Sequence, residues 1–221
     1  MQGHLHPITI LNNEIADIFT KMGFDIVDDR ELEDEFHNFD ALNIPKDHPA
    51  RDMQDTFWVK GGGVLRTHTS SVQIREMERW VKSGRAVKGN TLAICVPGKV
   101  FRNEATDATH EAQFHQVEGL CIGESITLAD MKGVLENFFS KLFGNDLKIR
   151  LRSSYFAFVE PGVEVDMQCF KCVGLGCNVC KHSGWIEIMG AGMVHPKVLE
   201  NAGVDSKLFQ GFAFGGGVDR L

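Results

Sequence analysis

After Pro7, apolar residues recur at Ile8, Leu11, Ile15, Ile18, Phe19 and Met22. That three-and-four spacing predicts an amphipathic helix with Pro7 in its first turn and Gly23 at its end. Phe24 to Val27 reads as a short strand, Asp28 to Glu35 as a solvated acidic loop, and residues 41–52, which include Pro45 and Pro49, as a long ordered loop. A second helix is predicted over Ser70 to Lys82, where Val72, Ile74, Met77, Trp80 and Val81 are interleaved with charges. Leu92 to Val96 and Lys99 to Arg102 then read as strands on either side of a Pro97-Gly98 turn.

From Phe114 to Ile122 the period changes to two. Phe114, Gln116 and Glu118 fall on one face, and His115, Val117, Gly119 and Cys121 on the other. Thr127 caps a predicted helix whose apolar stripe is Leu128, Met131, Val134, Leu135, Phe138, Phe139 and Leu142, ending near Gly144. Leu147, Ile149 and Leu151 alternate with Lys148, Arg150 and Arg152 as a half-buried strand. Further strands are predicted at Val163 to Gln168, Trp185 to Met189 and Phe212 to Phe214, with a helix over Pro196 to Ala202. Successive strands with segregated helices imply an α+β fold on an antiparallel sheet, not a doubly wound parallel one.

Composition narrows the function. The 221 residues carry 23 Lys and Arg against 30 Asp and Glu, a net charge of −7, with 43% apolar residues. Those values exclude a disordered tail, a coiled-coil rod and a disulfide-stapled miniprotein, and they are unsuited to coating nucleic acid by bulk charge. No apolar run reaches the roughly 18 residues of a membrane span. Residues 1–7 lack the basic segment and apolar stretch of an export signal, so a cytoplasmic setting with reduced cysteines is expected.

Three constellations carry chemistry. In the first, Phe101-Arg102-Asn103-Glu104 leads through a polar loop into Gln113-Phe114-His115-Gln116-Val117-Glu118-Gly119. Gln116 and Glu118 buried without partners would cost several kcal/mol, so their face is expected to line a polar pocket. In the second, Phe212-Ala213-Phe214 runs into three consecutive glycines and then Val218-Asp219-Arg220. Glycines let backbone approach a ligand, and an opening helix there would aim its free N–H groups at an anion. In the third, Cys169-X2-Cys172-X4-Cys177-X2-Cys180 presents paired thiols at the spacing of a four-cysteine zinc knuckle over residues 169–182. Four thiolates leave no open position, so the metal would be structural. His182 is an alternative fourth ligand, and iron an alternative occupant. Taken alone, Phe156 and Phe158 read equally as core aromatics or as a substrate clamp, and His68 as a structural histidine.

These residues resemble a known family. Gly3 to Pro7, His48 to Asp52, Arg66-Thr67-His68-Thr69-Ser70, the block from Arg102 to Gly119, Ser154 to Phe158 and Gly211 to Arg220 closely resemble the α subunit of bacterial phenylalanyl-tRNA synthetase, a class II aminoacyl-tRNA synthetase. The Arg102 block is similar to motif 2 of that class, and Gly215 to Arg220 to motif 3. Arg30 stands where motif 1 usually has proline. The resemblance implies one catalytic domain over residues 1–221, stopping inside the motif 3 helix, with an antiparallel sheet flanked by helices. It also implies an (αβ)2 heterotetramer, and activity of this stretch alone that is weak or absent.

The reaction it implies is activation of phenylalanine by ATP to phenylalanyl-adenylate, then transfer to tRNA(Phe). By the same resemblance, Arg102 and Arg220 are catalytic and hold the triphosphate, and Glu104, His110 and Phe114 contact the nucleotide. His68, Ser70, Gln116, Glu118, Phe156, Phe158 and Ala213 receive phenylalanine. Mg2+ accompanies ATP, with Glu160 holding one ion together with the β subunit. The competing expectation is a non-catalytic paralogue that binds nucleotide, amino acid or RNA. Two arginines suited to phosphate favour the enzyme.

Overall fold

A computed structural model describes residues 3–46, 56–103, 111–144 and 147–221, with backbone alone for Arg220. Of the loop expected over 41–52, residues 47–52 lie outside the described residues, as do Glu104 and His110.

Helix α1 spans Pro7–Lys21. His6 caps it, its Nδ1 accepting from the Ile8 N–H at 3.2 Å, and Pro7 starts it. The short strand β1 (Asp25–Ile26) follows. The acidic stretch expected to be a solvated loop instead contains β2 (Leu32–Glu33) and leads into the one-turn helix α2 (Glu35–Asn38). Glu33 is buried there because Arg75 meets both of its carboxylate oxygens at 2.7 Å. A 3-10 turn covers Asp40–Leu42, and β3 (Val64–Leu65) pairs antiparallel with β2. Helix α3 occupies Ser70–Lys82, as its spacing predicts.

Strand β4 (Leu92–Phe101) overturns the Pro97-Gly98 turn, because it runs unbroken through both residues, which pair with Val117 and Gln116 of β5 (Gln113–Gly123). Helix α4 (Leu128–Phe143) starts with the predicted cap. The Asp130 N–H donates to Thr127 Oγ1 at 3.3 Å, and the Thr127 N–H donates to Asp130 Oδ2 at 2.7 Å. Then come β6 (Ile149–Phe156), β7 (Val159–Gln168), β8 (Trp185–Val194), α5 (Pro196–Asn201) and β9 (Gln210–Gly217). The chain reaches its last residues through a 3-10 turn, Val218–Arg220, where a helix was expected.

Seven strands form one sheet in the order β1-β4-β5-β9-β8-β7-β6. All neighbours are antiparallel except β1 and β4, so the sheet is mixed at one edge. Alternation along β5 and β9 splits the side chains between two faces. Val117, Cys121, Phe212 and Phe214 join α1 and α4 in one core, where Phe19 stacks on Phe138 at 4.8 Å and on Phe214 at 5.5 Å. Leu120 and Ile122 join α3 and α5 in a second core around Val72, Met77, Trp80 and Val198. The second face is only partly roofed, and the uncovered part is the site. Among the described residues no helix is long and apolar enough to cross a membrane.

Candidate active site

A cavity of about 300 Å³ opens on that second face, over β5, β9 and β8. Helix α3 bounds it at one end. The turn between β6 and β7 bounds it at the other, with Leu42, Ile44 and Val198 behind. Eight residues singled out from the sequence line it together: His68, Ser70, Arg102, Gln116, Glu118, Phe156, Phe158 and Ala213. They come from five separate parts of the chain and converge because register puts Gln116 and Glu118 on the same sheet face as Ala213 and Gly215.

The polar end is built on Glu118, which is 5% exposed. Ser70 Oγ donates to its two oxygens at 3.0 and 2.8 Å, and Gln73 Nε2 donates at 2.6 Å. Ser70 and Gln73 lie in the first turn of α3, where free N–H groups and the helix dipole also favour an anion. Burial nevertheless dominates and raises the Glu118 carboxyl to about 7, against the pull of the Ser70, Thr69 and Gln73 donors. A carboxyl poised in this way gains from an incoming cation.

Beside it, both ring nitrogens of His68 and Oε1 of Gln116 are buried with no hydrogen-bond partner among the described residues. Burial, with the Arg102 charge adding to it, lowers His68 to about 3, so its imidazole is neutral at pH 7. Such orphaned polar atoms facing a cavity mark where a polar ligand belongs. The apolar end is the pair Phe156 and Phe158, stacked with centroids 5.8 Å apart.

Glycine removes side-chain bulk around the floor. A Cβ on Gly190 would lie 2.9 Å from the Phe156 ring and one on Gly215 would lie 2.5 Å from Glu118 Cγ, while on the far face of the sheet one on Gly119 would overlap the Phe214 ring.

Arg102 follows β4 at the rim, its guanidinium 5.0 Å from the centre of the Phe114 ring. Gly98, Gln116 and Gly217 are consecutive partners across β4, β5 and β9, so the backbone at Arg102 and at Arg220 leaves the same end of the two strands that flank β5. The Arg220 side chain, Glu104 and His110 lie outside the described residues. Glu160, at the start of β7, is exposed and does not line the cavity. His115 lies on the opposite sheet face, and its N–H donates to Asp219 at 2.9 Å, which ties β5 to the turn that follows β9.

Sequence reasoning missed Gln73, although Ser70 and Gln73 stand three apart at a helix start, where polar side chains share one face. It gave no role to Arg66, quoted only within the Arg66 to Ser70 match, although this is the largest fully buried side chain among the described residues.

Between β7 and β8 lies the cysteine cluster. Sγ of Cys169 and Cys177 are 3.8 Å apart, those of Cys172 and Cys180 are 3.7 Å apart, and those of Cys177 and Cys180 are 3.9 Å apart. These separations are far beyond a disulfide bond. They match the edge of about 3.8 Å expected for sulfurs about 2.3 Å from one tetrahedral ion. Backbone N–H groups of Gly176, Cys177 and Gly184 donate to the sulfurs of Cys172 and Cys180. Although burial works against it, the Cys180 thiol is drawn down to about 6 by the N–H groups of Cys177 and Gly184. Burial and the neighbouring Cys169 instead push Cys172 up to about 11. Close thiols resist joint ionisation unless a cation compensates them.

Comparison with known proteins agrees with this geometry. The family described as tRNA synthetases class II core domain (F) matches residues 1–221. Two similar proteins are named phenylalanine-tRNA ligase alpha subunit. One, from Streptococcus agalactiae serotype Ia, is 56% identical over 219 residues, 99% of this chain and 62% of its own length. The other, from Staphylococcus epidermidis, is 57% identical over 219 residues, covering 99% of this chain and 60% of its own. The chain thus spans about three-fifths of the length of these relatives. With the family's match running from the first residue to the last, the chain belongs to the class II tRNA synthetase core domains of the (F) type.

Proposed function

We propose that this chain is the catalytic core of a phenylalanine-tRNA ligase, activating phenylalanine with ATP and passing it to tRNA(Phe). The observation that carries the reading is the cavity itself, with a buried carboxyl and orphaned polar atoms at one end and a paired-phenylalanine slot at the other. Glu118 and Gln116 receive the substrate ammonium, and neutral His68 with Ser70 holds its polar end. Phe156 and Phe158 enclose the ring, and Ala213 leaves room at its tip. Aromatic packing of this kind contributes about 0.5–1.5 kcal/mol per pair beyond burial.

In the chemical step a substrate carboxylate oxygen bonds to the α-phosphorus, and the bond from that phosphorus to the β-phosphate oxygen breaks, its electron pair leaving with pyrophosphate. The carboxylate is ionised at pH 7, so no general base is needed. Catalysis is then positioning and charge stabilisation. Arg102 meets the α-phosphate, Arg220 the far end of the triphosphate, and Phe114 stacks on adenine, with Glu104 and His110 contacting the nucleotide. Mg2+ accompanying ATP would supply neutralisation of phosphate charge, and Glu160, an exposed carboxylate outside the cavity, would hold it together with a β subunit. Cys169, Cys172, Cys177 and Cys180 hold structural zinc, supported by their sulfur separations and N–H donors. The core works in an (αβ)2 assembly in the cytoplasm, one catalytic domain over 1–221 with the knuckle at 169–182 as an insert.

The test is phenylalanine-dependent exchange of pyrophosphate into ATP by the subunit with its β partner. Exchange is expected. Its absence, despite tight binding of an adenylate analogue, would mean a non-catalytic nucleotide-binding paralogue.

A further inference from the structure

Arg66 is 1% exposed, an unusual burial for a guanidinium. Its Nε donates to the Lys99 carbonyl at 2.8 Å, and its Nη1 donates to Asp28 Oδ1 at 3.1 Å and to the Asp29 carbonyl at 3.2 Å. Its backbone is equally committed. The Arg66 N–H donates to the Glu31 carbonyl, and its own carbonyl accepts from Phe101, both at 2.9 Å. Gly98 is the residue that makes room, because a Cβ there would lie 2.4 Å from Nη2.

The groups clamped by Arg66 are Lys99 and Phe101, the last residues before Arg102. On the other side, Thr67 is fixed by Asn38, whose Oδ1 accepts the Thr67 N–H at 3.2 Å and whose Nδ2 donates to Thr67 Oγ1 at 3.1 Å. The Thr67 carbonyl in turn accepts from Arg102 Nε at 3.4 Å. His68 and Ser70 follow directly on the same segment. A plain core position would be filled at least as stably by an apolar residue of similar volume. We infer that Arg66 is a positioning residue: its buried fork locks the His68–Ser70 segment to the end of β4 and so fixes the aim of Arg102 relative to the amino-acid pocket. Ser70 ties Glu118 to this segment, but Gln73 also holds that carboxyl from within α3, and Gln116 and the Phe156–Phe158 slot lie on other elements, so substrate affinity falls less than the chemical rate when the fork is lost.

The inference rests on the synthetase reading, and the experiment separates the two. R66M, R66K and G98A are assayed in the enzyme assembled with its partner subunit. Active sites are counted by the adenylate burst, the exchange rate is taken per active site, and phenylalanine affinity is measured by calorimetry. For R66M the rate per site is expected to fall about tenfold or more and the ATP KM to rise, while phenylalanine affinity changes less than about threefold. R66K, with charge but no fork, should be intermediate, and G98A, which displaces the guanidinium without removing it, should shift the same way. A lower melting temperature or fewer active sites with a normal rate per site would reduce Arg66 to a structural role and overturn the inference. So would phenylalanine affinity falling in step with rate. If R66M does not fold, unchanged per-site kinetics in both R66K and G98A overturn it. A wild-type enzyme without exchange would instead sink the proposed function.

Discussion

Replacing Glu118 with glutamine should change the pH dependence of stability and of phenylalanine binding together. Burial holds this carboxyl at about 7, against 4.5 for an ordinary glutamate. Between those values the folded protein keeps a proton that the unfolded chain has released, so Glu118 makes stability fall as pH rises from about 4.5 to 7, and the loss is complete above 7. At about 1.4 kcal/mol per pH unit, the 2.5-unit window corresponds to about 3 kcal/mol. Glutamine has no proton to lose. Urea unfolding at pH 4 and pH 8 should therefore show E118Q gaining about 3 kcal/mol relative to wild type across that interval, whatever its offset at pH 4. Phenylalanine binding should behave oppositely. With the ionised carboxylate as the proposed partner of the ammonium, wild-type affinity should rise about tenfold between pH 6 and 8, and E118Q should bind weakly with no such slope. Parallel stability profiles for the two proteins, or wild-type affinity independent of pH, would refute the placement of a poised carboxyl at the polar end of the cavity.

Gly190→Ala should push the Phe156 ring into the cavity, raising the phenylalanine KM by about tenfold with little change in kcat, as steady-state exchange kinetics would show. Native mass spectrometry should find one zinc bound at Cys169, Cys172, Cys177 and Cys180, and chelation should open the 169–184 segment to proteolysis; a metal-free chain with that segment protected would contradict the assignment. Phe138→Ala removes a fully buried ring that stacks on Phe19 and should cost about 3–5 kcal/mol in urea unfolding, with phenylalanine affinity retained in the folded fraction.

Long periodic segments were legible before any coordinates. Pro7–Lys21 and Leu128–Phe143 are helices because their apolar spacing and caps agree, and Ser70–Lys82 forms on its apolar spacing without a capping side chain. The pocket residues were legible largely through family resemblance, since the pattern alone left Phe156 and Phe158 open and read His68 as structural. What the pattern misread depends on distant partners. Pro97-Gly98 carries a turn signal, yet glycine stands at 98 because the Arg66 guanidinium lies against it inside an unbroken strand. Asp28 to Glu35 reads as solvated because the residue that buries Glu33, Arg75, lies 42 positions later. The single parallel pair among the described residues, β1 with β4, joins segments nearly 70 residues apart, and no local period encodes it.

The bare-backbone floor beneath the cavity has a bearing on how this protein can change. At 190 and 215 even one added carbon collides with the Phe156 ring or with the Glu118 stem. A lineage drifting toward other amino acids therefore gains nothing by small steps on that wall. Its freedom lies opposite, in the bend between β6 and β7 and in the tip of α5, where side chains can be exchanged without pushing the sheet apart.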